Sequence, residues 1–224
     1  MKQSCLILFI ILATSCGFSQ NTDNIIAALD DSLSAGQTTI SKVLSNEKYM
    51  KLHSLTPFRD IIAKHAISET VTMVTSAEPG KKITVKAVLK TADGKPIDDA
   101  LVYLYHTSDK GWYSDTGAHI LTREGDVRHA RLFCYVKTDA QGRFEIETIQ
   151  PRGYPNSDLP AHIHIAVSKN GEYVPGVPGE LLFDDDPRLT PDRRSRSLQE
   201  GFLVEKDSGT ADNHIYSYAI QLRQ

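Results

Sequence analysis

Ile83-Thr84-Val85-Lys86-Ala87-Val88-Leu89-Lys90 places Ile83, Val85, Ala87 and Leu89 on alternate positions, with Thr84, Lys86, Val88 and Lys90 between them. Successive side chains of an extended chain point to opposite sides, so this period of two predicts a strand with one buried face. Ala92-Asp93-Gly94-Lys95-Pro96 then supplies turn residues. The same grammar continues downstream. Strands are expected over 100–105, 131–137, 144–147, 161–168, 172–174, 180–183 and 214–222, with Asp139-Ala140-Gln141-Gly142 and Asn170-Gly171 as turns. Short strands without intervening helices predict a mainly β fold, an antiparallel β-sandwich rather than a parallel sheet. Residues 184–212, rich in Asp, Arg, Ser and Pro, read as a long surface loop with one helical turn.

Upstream of Glu78-Pro79-Gly80 the pattern changes. Ile25, Ile26, Leu29 and Leu33 stand at helical spacing, and Thr56-Pro57 ahead of Phe58, Ile61 and Ile62 reads as a helix start. The expected organisation is a signal peptide over 1–20, an N-terminal helical extension over 21–77 and the sandwich over 78–224. The extension is expected to serve packing, a homodimer contact being one role open to it. Met1-Lys2-Gln3 followed by the apolar run Leu6 to Ala13 matches a secretory leader and is too short to span a bilayer. Two readings of its end stay open: cleavage after Ser19 or Gln20, or a lipid anchor on Cys16. Either way the product is exported, whether periplasmic, secreted or held at the envelope. Cys134 is then the one cysteine far from the start, which excludes an intrachain disulfide framework. Its strand, Leu132-Phe133-Cys134-Tyr135, reads it as a small buried hydrophobe.

With 224 residues, 40% hydrophobic content and a formal net charge of -3, the chain has material for one globular domain and no basic run to serve nucleic acid. A small-molecule substrate is the expected partner.

Chemistry concentrates at Pro160-Ala161-His162-Ile163-His164-Ile165. On a strand both imidazoles share one face, where they can bind one metal ion, and two histidines leave any transition metal short of donors. Tyr113, in Gly111-Trp112-Tyr113-Ser114, and Tyr154, in Pro151-Arg152-Gly153-Tyr154-Pro155, lie at strand ends. A phenol titrates near ~10, so a tyrosinate ligand at neutral pH calls for a strongly Lewis-acidic cation such as ferric iron. Zinc or copper with other donors remains the alternative at this level.

In this order, Gly-x-Tyr-Ser, Thr138-Asp139-x-x-Gly142-x-Phe144, Pro151-x-Gly153-Tyr154-Pro155 and Pro160-Ala161-His162-x-His164 resemble the intradiol ring-cleavage dioxygenases over residues 78–186. The opening Asp93-Gly94-Lys95-Pro96-Ile97, Ala100-Leu101-Val102 resembles the family too. The resemblance implies a prealbumin-like sandwich holding Fe(3+) through Tyr113, Tyr154, His162 and His164, with a catechol-type diol and O2 as substrates. It implies that Tyr154 is the catalytic tyrosine, taking a proton from the diol. Where the family carries an arginine three residues before the first histidine, this chain has Leu159. Arg152 is the candidate catalytic cation in its place, with Arg131 and Arg128 as further candidates. Trp112, Arg131, Leu159 and Glu180 are the expected pocket residues, Glu180 standing where relatives carry glutamine and disfavouring a carboxylated catechol. His106, His119, His129 and the run Asp184-Asp185-Asp186 read as solvated polar groups, and Tyr103 and Tyr105 as packing aromatics. The non-enzymatic rival is a prealbumin-like binding module.

Overall fold

The computed structural model describes residues 12–114 and 130–223, and in residues 12–20 the backbone alone. Contacts divide the chain between Thr38 and Thr39. The first unit carries helix α1 (Leu12–Ser34). In the second, helix α2 (Ile40–Leu44), a 3-10 segment (Glu47–Leu52) and helix α3 (Thr56–Lys64) precede strands β1 (Val71–Thr72), β2 (Lys82–Lys90), β3 (Leu101–His106), β4 (Leu132–Lys137), β5 (Arg143–Ile149), β6 (His162–Lys169), β7 (Glu172–Tyr173) and β8 (Glu180–Phe183). Helix α4 (Pro191–Glu200), β9 (Leu203–Glu205) and β10 (His214–Gln221) complete it.

Among the described residues the strands form two sheets, one ordered β1-β5-β2-β10 and the other β4-β3-β6-β8-β9 with β7 paired to β6. The alternation in β2 is realised as expected: Ile83, Val85, Ala87 and Leu89 are buried while Lys82, Lys86 and Lys90 are exposed. The expected turns form as well. Asn170 and Gly171 take φ of 55° and 82°, and Asp139 accepts from the amides of Gln141 and Arg143 at 2.8 and 2.7 Å. The pairing is not antiparallel throughout, because β10 runs parallel to β2, β1 to β5 and β9 to β8. Alternation sets which face a residue occupies and carries no information on a neighbour's direction.

The sandwich core lies between the sheets, where the ring centroids of Phe183 and Tyr216 are 4.8 Å apart and the Tyr218 hydroxyl donates to the Leu182 carbonyl at 2.9 Å. Cys134 is fully buried on β4, and burial pushes its thiol up.

The compact unit that starts at Thr39 takes in α2, the 3-10 segment and α3 together with the sandwich strands. Arg59 is the reason at α3: it is 2% exposed, its guanidinium carbon lies 3.7 Å from the Phe133 ring centroid, and it donates to the carbonyls of His53 and Ala130 at 2.8 and 3.0 Å. The loop expected over 184–212 contains the three-turn helix α4 and strand β9. Helix α4 starts on a Thr190 cap with Pro191 in its first turn and stops at Gly201 with φ 85°, clear end signals around an interior too polar to show periodicity.

Candidate metal centre

Register decides what surrounds the histidine pair. Tyr105 lies opposite His164 on β3, and Glu180 lies opposite His164 on β8. Residues directly opposite share a face. Tyr105, His162, His164 and Glu180 therefore stand on the side of the six-stranded sheet turned away from the sandwich core. Tyr103 and Tyr135 are paired there too, with ring centroids 4.7 Å apart.

Two loops bring the phenols. Tyr113 sits beyond β3 in a turn closed by Ser108 N–H to the Trp112 carbonyl at 2.8 Å, and its own carbonyl accepts from the Arg131 amide at 2.8 Å. Gly111, at φ 75°, packs so closely on the second loop that a Cβ there would meet the Gly153 carbonyl oxygen at 2.5 Å. Only glycine combines that left-handed backbone with so near an approach. Tyr154 lies on the second loop, between β5 and β6.

Four ligating atoms converge. The Tyr113 hydroxyl is 2.6 Å from the Tyr154 hydroxyl and 2.8 Å from His164 Nε2, while Tyr154 is 3.2 Å from His162 Nε2 and the two Nε2 atoms are 3.1 Å apart. His162 Nδ1 lies 2.8 Å from the Pro160 carbonyl, to which it can only donate. That fixes the tautomer that leaves Nε2 with its lone pair toward the phenols. The His164 ring stacks on Tyr105 at 4.5 Å and 12°.

Burial and the adjacent Tyr154 hold the Tyr113 phenol well above its usual range, and burial with the neighbouring His162 and His106 lowers His164 to about 3. The bare site thus holds Tyr113 as the protonated phenol and His164 as the neutral imidazole. Such a donor set fits a hard, highly charged cation: two phenols turned phenolate and two imidazoles give an oxygen- and nitrogen-rich shell carrying two negative charges. Glu180 adds a carboxylate oxygen 4.0 Å from His162 Nε2. His162, His164 and Glu180 also form a group whose ligating atoms lie within 4.8 Å of one another.

A family model described as Dioxygenase matches residues 58–224. The chain belongs to the intradiol ring-cleavage dioxygenase family. It is similar to a catechol 1,2-dioxygenase of Acinetobacter baylyi, at 30% identity over an alignment that covers 56% of this chain and 43% of that protein. A catechol 1,2-dioxygenase of Acinetobacter lwoffii is 26% identical over 60% of this chain and 47% of its own length. The chain spans less than half the length of these curated relatives. Among solved structures, mercury-inhibited catechol 1,2-dioxygenase from Acinetobacter sp. ADP1 superposes with a TM-score of 0.51 at 21% identity over 71% of this chain and 58% of that one. The 3-chlorocatechol 1,2-dioxygenase of Rhodococcus opacus 1CP gives 0.50 at 18% identity, over 93% and 98%. These two establish the family's fold for this chain.

The expected pocket residues divide. Glu180 stands with the four converging side chains, Trp112 is half-buried in the Tyr113 turn, and Leu159 is 44% exposed on the Tyr154 loop. Arg152, expected as a catalytic cation, is exposed and lines a separate cleft with Lys81, Asp185 and Arg188. Its main chain is turned that way because Thr107 Oγ1 donates to the Arg152 carbonyl at 2.7 Å and the Arg152 amide donates to the Ser108 carbonyl at 3.3 Å. Arg131 is held by both Glu78 oxygens at 2.6 Å, so its charge is already matched; its contribution to the site is the amide that fixes Tyr113. Arg128, His119 and His129 lie outside the described residues. His106 is not a solvated loop group but a fully buried one, with Nδ1 2.7 Å from the Thr107 carbonyl and Nε2 2.7 Å from Thr148 Oγ1. Tyr105, read as packing, is the residue that sequence missed at this site. The signal was cross-strand register with His164, which no sequence pattern states.

Proposed function

We propose that this protein is an exported non-haem iron(III) dioxygenase that cleaves a catechol-type diol between its two hydroxyl-bearing carbons. The convergence of two phenols and two imidazoles within 2.6–3.2 Å carries the reading, and membership in the family supports it. One O2 is consumed, the carbon–carbon bond between the hydroxylated carbons breaks, and both oxygen atoms remain in a muconate-type diacid. Tyr113, Tyr154, His162 and His164 would hold the iron, which when bound supplies Lewis acidity and draws electron density from the diol's oxygens.

The remaining roles belong to the chain. Tyr154, half-buried on its loop, would as the phenolate take a proton from the diol at its oxygen, which makes it the catalytic tyrosine. The Pro160 carbonyl accepts the His162 Nδ1 proton and so fixes the tautomer in which Nε2 offers its lone pair to a metal. Tyr105 fixes the His164 ring plane by stacking. Glu180 sets a negative charge beside the donors and selects neutral diols over carboxylated ones. The leader over 1–20 supports export, the lipid anchor at Cys16 being one form of it.

Oxygen uptake with a catechol panel, run alongside a visible spectrum of the ferric protein, tests this. The expected result is a tyrosinate charge-transfer band that weakens strongly in Tyr113→Phe and Tyr154→Phe, with uptake of one O2 per diol. A colourless protein that prefers zinc would overturn the iron reading; a coloured protein inert toward every diol would leave a binding role.

A further inference from the structure

Residues 150–161, which carry Tyr154 and lead into His162, hold no helix or strand, yet their main chain is pinned at three points by one short segment after β8. Arg188 Nη1 donates to the Tyr154 carbonyl at 2.8 Å and reaches the Leu159 carbonyl at 3.5 Å. Asp186 accepts the Ala161 amide on Oδ2 at 2.8 Å and the Arg188 amide on Oδ1 at 2.7 Å. We propose that Asp186 and Arg188 form a clamp that sets the separation of the Tyr154 and His162 segments, which makes both of them positioning residues of the metal site. This rests on the metal-site reading above.

The neighbouring chemistry is built around that clamp. A Cβ at Gly153 would lie 2.3 Å from Arg188 Nη1 and 2.6 Å from the Leu159 carbonyl, so glycine there leaves the room in which the guanidinium sits. The clamp itself is anchored from behind. Asp185 accepts from the Tyr216 hydroxyl at 2.9 Å, from Lys81 at 3.0 Å and from Gln150 at 2.9 Å, which ties the segment to the opposite sheet and to the foot of the Tyr154 loop. Asp184 pairs with Arg194 of α4. The acidic run forms a turn with Asp185 exposed, and its carboxylates are engaged by protein donors. Arg188 grips the carbonyl of Tyr154 and leaves the phenol alone. Outer partners of metal ligands are worth ~10- to 100-fold in metal affinity.

The test is ferric affinity, by competition with a chelator, read together with the visible tyrosinate band. Arg188→Ala is expected to bind ferric ion at least about tenfold more weakly and to shift the band. Arg188→Lys, which keeps one donor on the Tyr154 carbonyl, is expected to recover part of both. Arg194→Ala releases Asp184 on the same segment without touching the clamp and should behave as wild type. Wild-type values in Arg188→Ala, or an equal loss in Arg194→Ala, would overturn the proposal.

Amide hydrogen exchange in the metal-free protein separates the clamp from the iron reading. Faster exchange over 154–161 in Arg188→Ala and not in Arg194→Ala is expected even if wild type binds no ferric ion, and unchanged exchange would sink the clamp by itself. Asp186→Asn serves both measurements if Arg188→Ala does not fold.

Discussion

Glu180 sets a negative charge beside the converging donors. Its carboxylate lies 4.0 Å from His162 Nε2, close enough for a second carboxylate on the substrate to feel it through partly excluded water. Glu180→Gln is expected to raise kcat/KM for protocatechuate relative to catechol by about tenfold, the equivalent of ~1.4 kcal/mol. Steady-state kinetics on the two substrates decides it, and an unchanged ratio would remove Glu180 from the specificity account. His106 makes a different prediction. Fully buried with both ring nitrogens engaged, it is lowered from 6.5 to about 4, with burial as the first cause. The unfolded chain takes up the proton near 6.5 and the folded one does not, so this contribution to stability is complete above 6.5, declines as pH falls toward 4 and is flat below. The loss amounts to about 3 kcal/mol. Urea denaturation of the metal-free protein between pH 7 and 4 should show this decline, and His106→Gln should flatten it.

Helix α3 shows how an element's place is set by one unusual side chain. Its apolar residues Phe58, Ile61 and Ile62 are buried, and this much was legible from their spacing after Thr56-Pro57. That Arg59 is buried among them was not legible, because its partners are carbonyls at His53 and Ala130 and an aromatic ring on β4, all distant in sequence or on other elements. Arg59→Ala is expected to leave those carbonyls without their donor and to destabilise the protein by about 3 kcal/mol. Thermal or urea unfolding measures it; a loss under 1 kcal/mol would mean that α3 docks by its apolar residues alone. Strand β10 gives the complementary lesson. Its existence over 214–222 followed from alternation, and its parallel pairing with β2 did not. Helix α4 was hidden for a third reason, an interior with no apolar period between legible caps.

At the scale of the molecule, the division between Thr38 and Thr39 makes a prediction about truncation. Removal of residues 1–38 is expected to leave a cooperatively folding sandwich, whereas removal of 1–77 takes away Ile40, Val43, Leu44, Phe58 and Ile62, all buried at 1% exposure or less, and should abolish cooperative unfolding. Circular dichroism melts of the two truncated proteins distinguish this from an independent sandwich over 78–224, in which both would fold.

By itself the sequence determined the β character, the strand positions except those of β1 and β9, the principal turns and the two tyrosines and two histidines of the candidate site. These follow from local periodicity, from turn chemistry and from the order of motifs along the chain. Tertiary structure decided what depends on contacts between distant residues: the direction of β10 against β2, the stacking of Tyr105 on His164, and the occupation of Arg131 by Glu78. It also decided the distance of Arg152 from the donors and the grip of Arg188 on Tyr154. A side chain's identity states which bonds it can make, and only the fold states which partner is within about 3 Å to make them.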